Sequence, residues 1–120
     1  MSTRCNIVLK TGRRFFKDIY LYHHHDGYPE GVGADLVERL KDHFTGLRVE
    51  DIANKLVKDL DDEYEITTCL HGDIEYLYVI DEEDKSLYYK PVDFGWDDDG
   101  YWQRFGKKVF LIKKGKVVNG

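Results

Sequence analysis

A chain of 120 residues, 42% hydrophobic and 14% aromatic, can bury one core, and two prolines with no low-complexity tract exclude a disordered or fibrous protein. The net charge of −5 disfavours non-specific attachment to nucleic acid or an anionic membrane, because those surfaces repel a net anion. No apolar run approaches the ~20 residues of a membrane helix, and MSTRCNIVLK lacks an apolar signal core, so a cytoplasmic single domain over 1–120 is expected.

Residues 4 to 10 alternate, with Cys5, Ile7 and Leu9 on one face, which predicts a strand. Thr11-Gly12-Arg13 supplies a turn, and a second strand is expected from Phe15 to about His24. At period 2, Ile19, Leu21, His23 and His25 share one face, and Phe16, Tyr20, Tyr22 and His24 share the other. Two helices follow. Ala34 to Phe44 sets Leu36, Val37, Leu40 and Phe44 on one stripe; Glu50 to Leu60 sets Ile52, Ala53, Leu56, Val57 and Leu60 on another. Glu50 and Asp51 suit the positive end of the second helix.

The remainder reads as β. Tyr64–Leu70 and Ile74–Asp81 are expected strands joined by a tight turn at His71-Gly72-Asp73, and Ser86–Val92 is another. FGWDDDGYW shows no clear period and reads as a solvated acidic loop with two Trp anchors. The spaced acidic ladder of a calcium loop is absent. Lys108–Lys113 and Lys116–Val118 form a last hairpin around Lys114-Gly115. The expected fold is α+β: an antiparallel β-sheet with two consecutive helices packed on one face.

Chemistry concentrates in two places. IYLYHHHDGYPEGVG carries a strand into three histidines and then a Gly/Pro loop, where glycines let backbone approach a ligand closely. Its glycine spacing fits neither a P-loop nor a dinucleotide fingerprint. The second place is the His-Gly-Asp turn. Candidate ligand-binding residues are His23, His25, Asp26, Tyr28, Glu30, His71 and Asp73. His23, His25 and Asp26 joined by His71 or Asp73 also have the donor types of a divalent-metal site or a His-dependent hydrolase. Sequence does not decide whether metal binds, and no cofactor is expected. Cys5 and Cys69 sit in apolar runs without a CxxC pairing and are expected to be reduced and mostly buried. Tyr20, Tyr22, Tyr76, Tyr78, Tyr88 and Tyr89 fall in three expected strands. They read as a sheet face that is part core and part protein interface, because their acidic flanks do not suit base stacking.

YLYHHHDGYPEGVG and HGDIEYLYVID resemble segments of small, mostly uncharacterised proteins encoded by phages and mobile elements of bacteria. The resemblance covers roughly a fifth of the chain directly. Its marked positions are His25, Asp26, Gly27, Tyr28, Pro29, His71, Gly72, Asp73 and Tyr76. It implies a cytoplasmic accessory protein acting on host machinery or host defence. The leading expectation is therefore a non-catalytic binding protein that engages a host protein or a small polar ligand through the His/DGYP loop. The alternatives are the hydrolase above and an acidic nucleic-acid mimic; a homo-oligomer stays open. Two motifs far apart in sequence are expected to meet in the fold.

Overall fold

The computed structural model describes residues 3–14, 17–44, 46, 48–59 and 65–118. Phe15, Phe16, Leu60 and Tyr64, and the side chain of Val57, belong to sequence-predicted elements but lie outside what is described.

The chain folds as α+β, with one sheet and two α-helices among the described residues. In chain order the strands are β1 (Cys5–Lys10), β2 (Ile19–His23), β3 (Glu65–Thr67), β4 (Tyr76–Asp81), β5 (Ser86–Asp97), β6 (Gly100–Phe105), β7 (Val109–Lys113) and β8 (Lys116–Val117). A π-helical turn at Pro29–Gly33 leads into α1 (Ala34–Leu40), and α2 spans Val49–Asp59. The sheet runs β3-β2-β1-β4-β5-β7-β8, with β6 paired to the far half of β5. Every pairing is antiparallel except β1 with β4, which run parallel.

Alternation decides the two faces. Cys5, Ile7 and Leu9 of β1 join Leu21, Tyr78, Ile80 and Leu87 on the first face, under Leu36, Leu40, Phe44, Ile52 and Leu56 from the helical layer. This is the helical stripe that 3.6 periodicity predicts. On the second face, Val8, Tyr22, Leu77, Val79 and Tyr88 pack with Ile74 and Leu70. Those last two come from the connection between β3 and β4. The expected tight hairpin there does not form, because the two strands do not pair: β3 joins β2 and β4 joins β1. Residues 68–75 instead cross the second face, and they give that face its cover.

The expected acidic loop is also different. FGWDDDGYW belongs to a hairpin in which Phe94↔Gln103, Trp96↔Tyr101 and Asp97↔Gly100 are paired. Asp99 N–H donates to the Asp97 carboxylate at 2.9 Å, and Gly100 takes φ +112°. The aspartates are thus turn residues, with an Asx bond and a glycine in the left-handed region. Gly95 leaves room for the Trp102 ring, which would stand 2.7 Å from a Cβ built there.

At the C-terminal end of β1 a polar clamp joins sheet to helix. The Glu82 carboxylate accepts from Val49 N–H at 2.9 Å, the first residue of α2, and pairs with Arg13 at 2.8 Å. Arg13 also pairs with Glu50. The Arg13 guanidinium, followed by the backbone at the helix start, holds the Glu50 carboxyl below its ordinary range. A lowered native pKa contributes stability above the unfolded value and loses it as pH falls through the native one. Glu50→Gln should therefore lower the thermal midpoint at pH 7, and the gap to wild type should close below about pH 4; melting curves across that range check it.

Candidate functional site

β2 ends at His23, so the two-residue alternation stops there and does not carry His25 onto the face of His23 as expected. His23 is 7% exposed and pairs in register with Cys5. Its Nδ1 accepts the backbone N–H of His25 at 3.3 Å. The chain then turns sharply at Asp26, which takes φ +53°. Aspartate tolerates this left-handed conformation better than most residues. The neighbouring Gly27 serves another role. A Cβ on it would sit 3.0 Å from both Cys5 Cβ and Thr3 O, so glycine lets the loop close on the start of β1 without crowding it.

Four hydrogen bonds then fasten the loop backbone. Gly27 N–H donates to Thr3 O at 2.9 Å, and the buried Tyr78 hydroxyl donates to Gly27 O at 2.8 Å. Val32 N–H donates to Asp26 O at 2.7 Å, and Gly31 N–H to Tyr28 O at 2.9 Å. Burial drives the Tyr78 phenol far up, so it is a permanent donor. The side chains have the opposite disposition: His25, Asp26, Tyr28 and Glu30 are exposed. The Tyr28 hydroxyl donates to Asp26 Oδ1 at 3.1 Å, a bond that with the Asp26 charge raises the phenol. The result is a fixed backbone presenting one imidazole, two carboxylates and one phenol.

His71 and Asp73 belong to the crossing connection on the second face. Tyr22, 3% exposed, gathers them there: its ring stacks on His71 at 3.9 Å, and its hydroxyl donates to the two Asp73 carboxylate oxygens at 3.0 and 3.1 Å. Arg4 Nε pairs with Asp73 at 3.4 Å, and His24 packs edge-on against Tyr22 at 4.6 Å. His71 Nε2 shares a hydrogen bond with Thr67 Oγ1 at 3.0 Å. The fully buried Asn6 accepts His71 N–H at 2.7 Å and donates to Leu21 O at 2.8 Å. Burial, then Asp73, pushes the Tyr22 phenol up to about 12, so it stays protonated at neutral pH and acts as a donor, not a base.

The two segments therefore meet, through Tyr22, which stacks on His71 and donates to Asp73, and through the backbone at the start of β1. Thr3 O holds the DGYP loop, and Arg4 O accepts Glu75 N–H at 2.8 Å from the crossing connection. The loop backbone is tied to first-face residues, whereas His71 and Asp73 are tied to second-face residues. Among the described residues no three His, Cys, Asp or Glu side chains form a group able to hold a metal ion. Sequence pattern does not mark Asn6, Arg4 and Tyr22 as site residues; the available signal is an Asn amid the apolar alternation of β1. Cys69, expected to be mostly buried, is exposed, while Cys5 is buried and its thiol pushed up by that burial. No protein-family model, curated protein or solved structure matches the chain.

Gly27→Ala should destabilise the protein by about 1–3 kcal/mol, as an overpacked contact does, measured by chemical denaturation. Raised tyrosine pKa values make stability fall as pH rises from about 10, the unfolded value, through the native values. The Tyr22 part of that loss should lie between about 10 and about 12. Tyr22→Phe should flatten it, and phenolate absorbance during the titration reads the same ionisation directly.

Proposed function

We propose that this protein is a non-catalytic binding protein that engages its partner through the His/DGYP loop. One observation carries the reading. The loop backbone is pinned by four hydrogen bonds while His25, Asp26, Tyr28 and Glu30 point their chemistry at solvent. A turn needed only for chain reversal has no use for such a set. A surface held in its binding conformation loses little entropy on association. The HGD segment supports the loop indirectly, by fixing the start of β1 from the other face.

The partner is a host protein or a small polar ligand, and the setting a cytoplasmic accessory protein of a phage or mobile element. The resemblance of the DGYP and HGDIEY segments to such proteins supports this. No helix among the described residues is long and apolar enough to cross a membrane.

Tagged protein would be used to capture partners from host lysate, followed by protein and small-molecule mass spectrometry. Whatever the wild type retains should be lost from Tyr28→Ala, which should weaken binding by about 1–3 kcal/mol, the scale of a contact aromatic. Its thermal midpoint should hardly move, since exposed substitutions usually cost within about 0.5 kcal/mol. If Tyr28→Ala melts early and keeps every bound species, the loop is a structural turn and the reading fails.

A further inference from the structure

The β5–β6 hairpin carries a surface that the DGYP loop does not explain. Its far half extends beyond the pairing with β4, which ends at the Tyr76↔Pro91 pair. Directly opposed residues share a face, so Val92, Phe94 and Trp96 line up with Phe105, Gln103 and Tyr101. Val92 is buried at the base in the second core. Beyond it, Phe94 is 42% exposed, Trp96 79%, Tyr101 41% and Phe105 41%. Trp96 and Tyr101 are in contact, with ring centroids 5.3 Å apart. The face is also fixed: the Tyr101 hydroxyl donates to Gly72 O, and Gln103 Nε2 donates to His71 O at 3.3 Å. Tyr101 is thus anchored with Trp96 against it, and four large aromatic rings stand at considerable exposure.

At the tip of the hairpin, beside Trp96 and Tyr101, the charge has one sign: Asp97, Asp98 and Asp99 are all exposed. Nearer the base, Asp93 and Arg104 stand opposite one another on the other face, and Lys107 and Lys108 follow Phe105. An exposed indole attracts cations through its π face, and flanking carboxylates add attraction of the same sign. Arg104 stacks over Trp102 at 4.8 Å on the opposite face of the hairpin, so the chain already uses this geometry internally. Nucleic acid, which stacks on aromatics, is repelled by the aspartates.

We propose that the Phe94/Trp96/Tyr101/Phe105 face of this hairpin docks an arginine- or lysine-bearing segment of a partner protein, with a cationic side chain laid over Trp96 and the Asp97–Asp99 turn closing around it. The proposal does not rest on the DGYP loop, whose residues take no part in this face.

The probe is a fluorescein-labelled alternating Gly-Arg peptide, followed by anisotropy at physiological ionic strength. Wild type should bind it, and Trp96→Ala, which changes no charge, should weaken binding about fivefold or more. Trp96→Phe should keep most of the affinity, because a π face remains. Asp98→Asn should weaken binding more than Asp42→Asn, an exposed carboxylate in the segment following α1. In a Trp102→Phe background, the emission of Trp96 should change on titration. Circular dichroism confirms folding of each variant. Three results would overturn the proposal: no binding, equal binding by wild type and folded Trp96→Ala, which is diffuse attraction to a net anion, or self-association by sedimentation that Trp96→Ala abolishes, which makes a second copy the occupant. Single-stranded DNA competing for the same face would overturn it as well.

Discussion

A single buried amide ties the two faces of this protein together. Asn6 is fully buried on a central strand, where an unmet donor or acceptor costs about 1–3 kcal/mol. Its oxygen takes the His71 N–H and its nitrogen gives to Leu21 O, so the amide is satisfied only when the crossing connection lies against β1. Placing that connection drops Leu70 and Ile74 into the second core. Without it Tyr22, Val79 and Tyr88 would face water, and the sheet would have one covered side instead of two.

The same end of β1 holds the DGYP loop. Thr3 and Arg4 are neighbours in sequence, and their carbonyls receive Gly27 and Glu75 from the two sequence-distant motifs. Anything that shifts the strand start moves both. This arrangement separates labour. The HGD side is saturated with internal bonds and its phenol is locked in the protonated state, so it braces. The DGYP side spends its backbone bonds on position and leaves its side chains outward. Rigid scaffolds commonly carry function on such loops, because the polar groups of a loop cannot be buried without partners.

The hairpin at the other end of the connection follows a related rule. Tyr101 and Gln103 reach the carbonyls of Gly72 and His71, so the connection that braces β1 also orients β6. Aromatic residues paired across strands stabilise an extended hairpin that a sheet edge alone would not. Half of that stabilising surface remains open to solvent, which sets Trp96 apart from the tyrosines that went into the cores.

Local pattern alone determined a good deal. Period 2 placed Cys5, Ile7, Leu9 and Leu21 on the helix-covered face and Tyr20 and Tyr22 on the other, and period 3.6 marked Leu36, Leu40, Ile52 and Leu56 as the helical stripe. These are legible because side-chain direction repeats within a few residues. Tertiary structure alone decided the rest. The parallel pairing of β1 with β4 turned an expected hairpin turn into a crossover, and it set His71 and Asp73 against Tyr22 on the second face. Nothing within either segment encodes which strand edge it will meet; that choice rests on burying both faces at once. The FGWDDDGYW hairpin escaped for another reason. Val92, Phe94 and Trp96 alternate with Asp93, Gly95 and Asp97, but the pattern breaks at the Asp97–Asp99 run and at the adjacent Tyr101 and Trp102. No period therefore spans the segment, and only the pairing of its two halves makes it a hairpin.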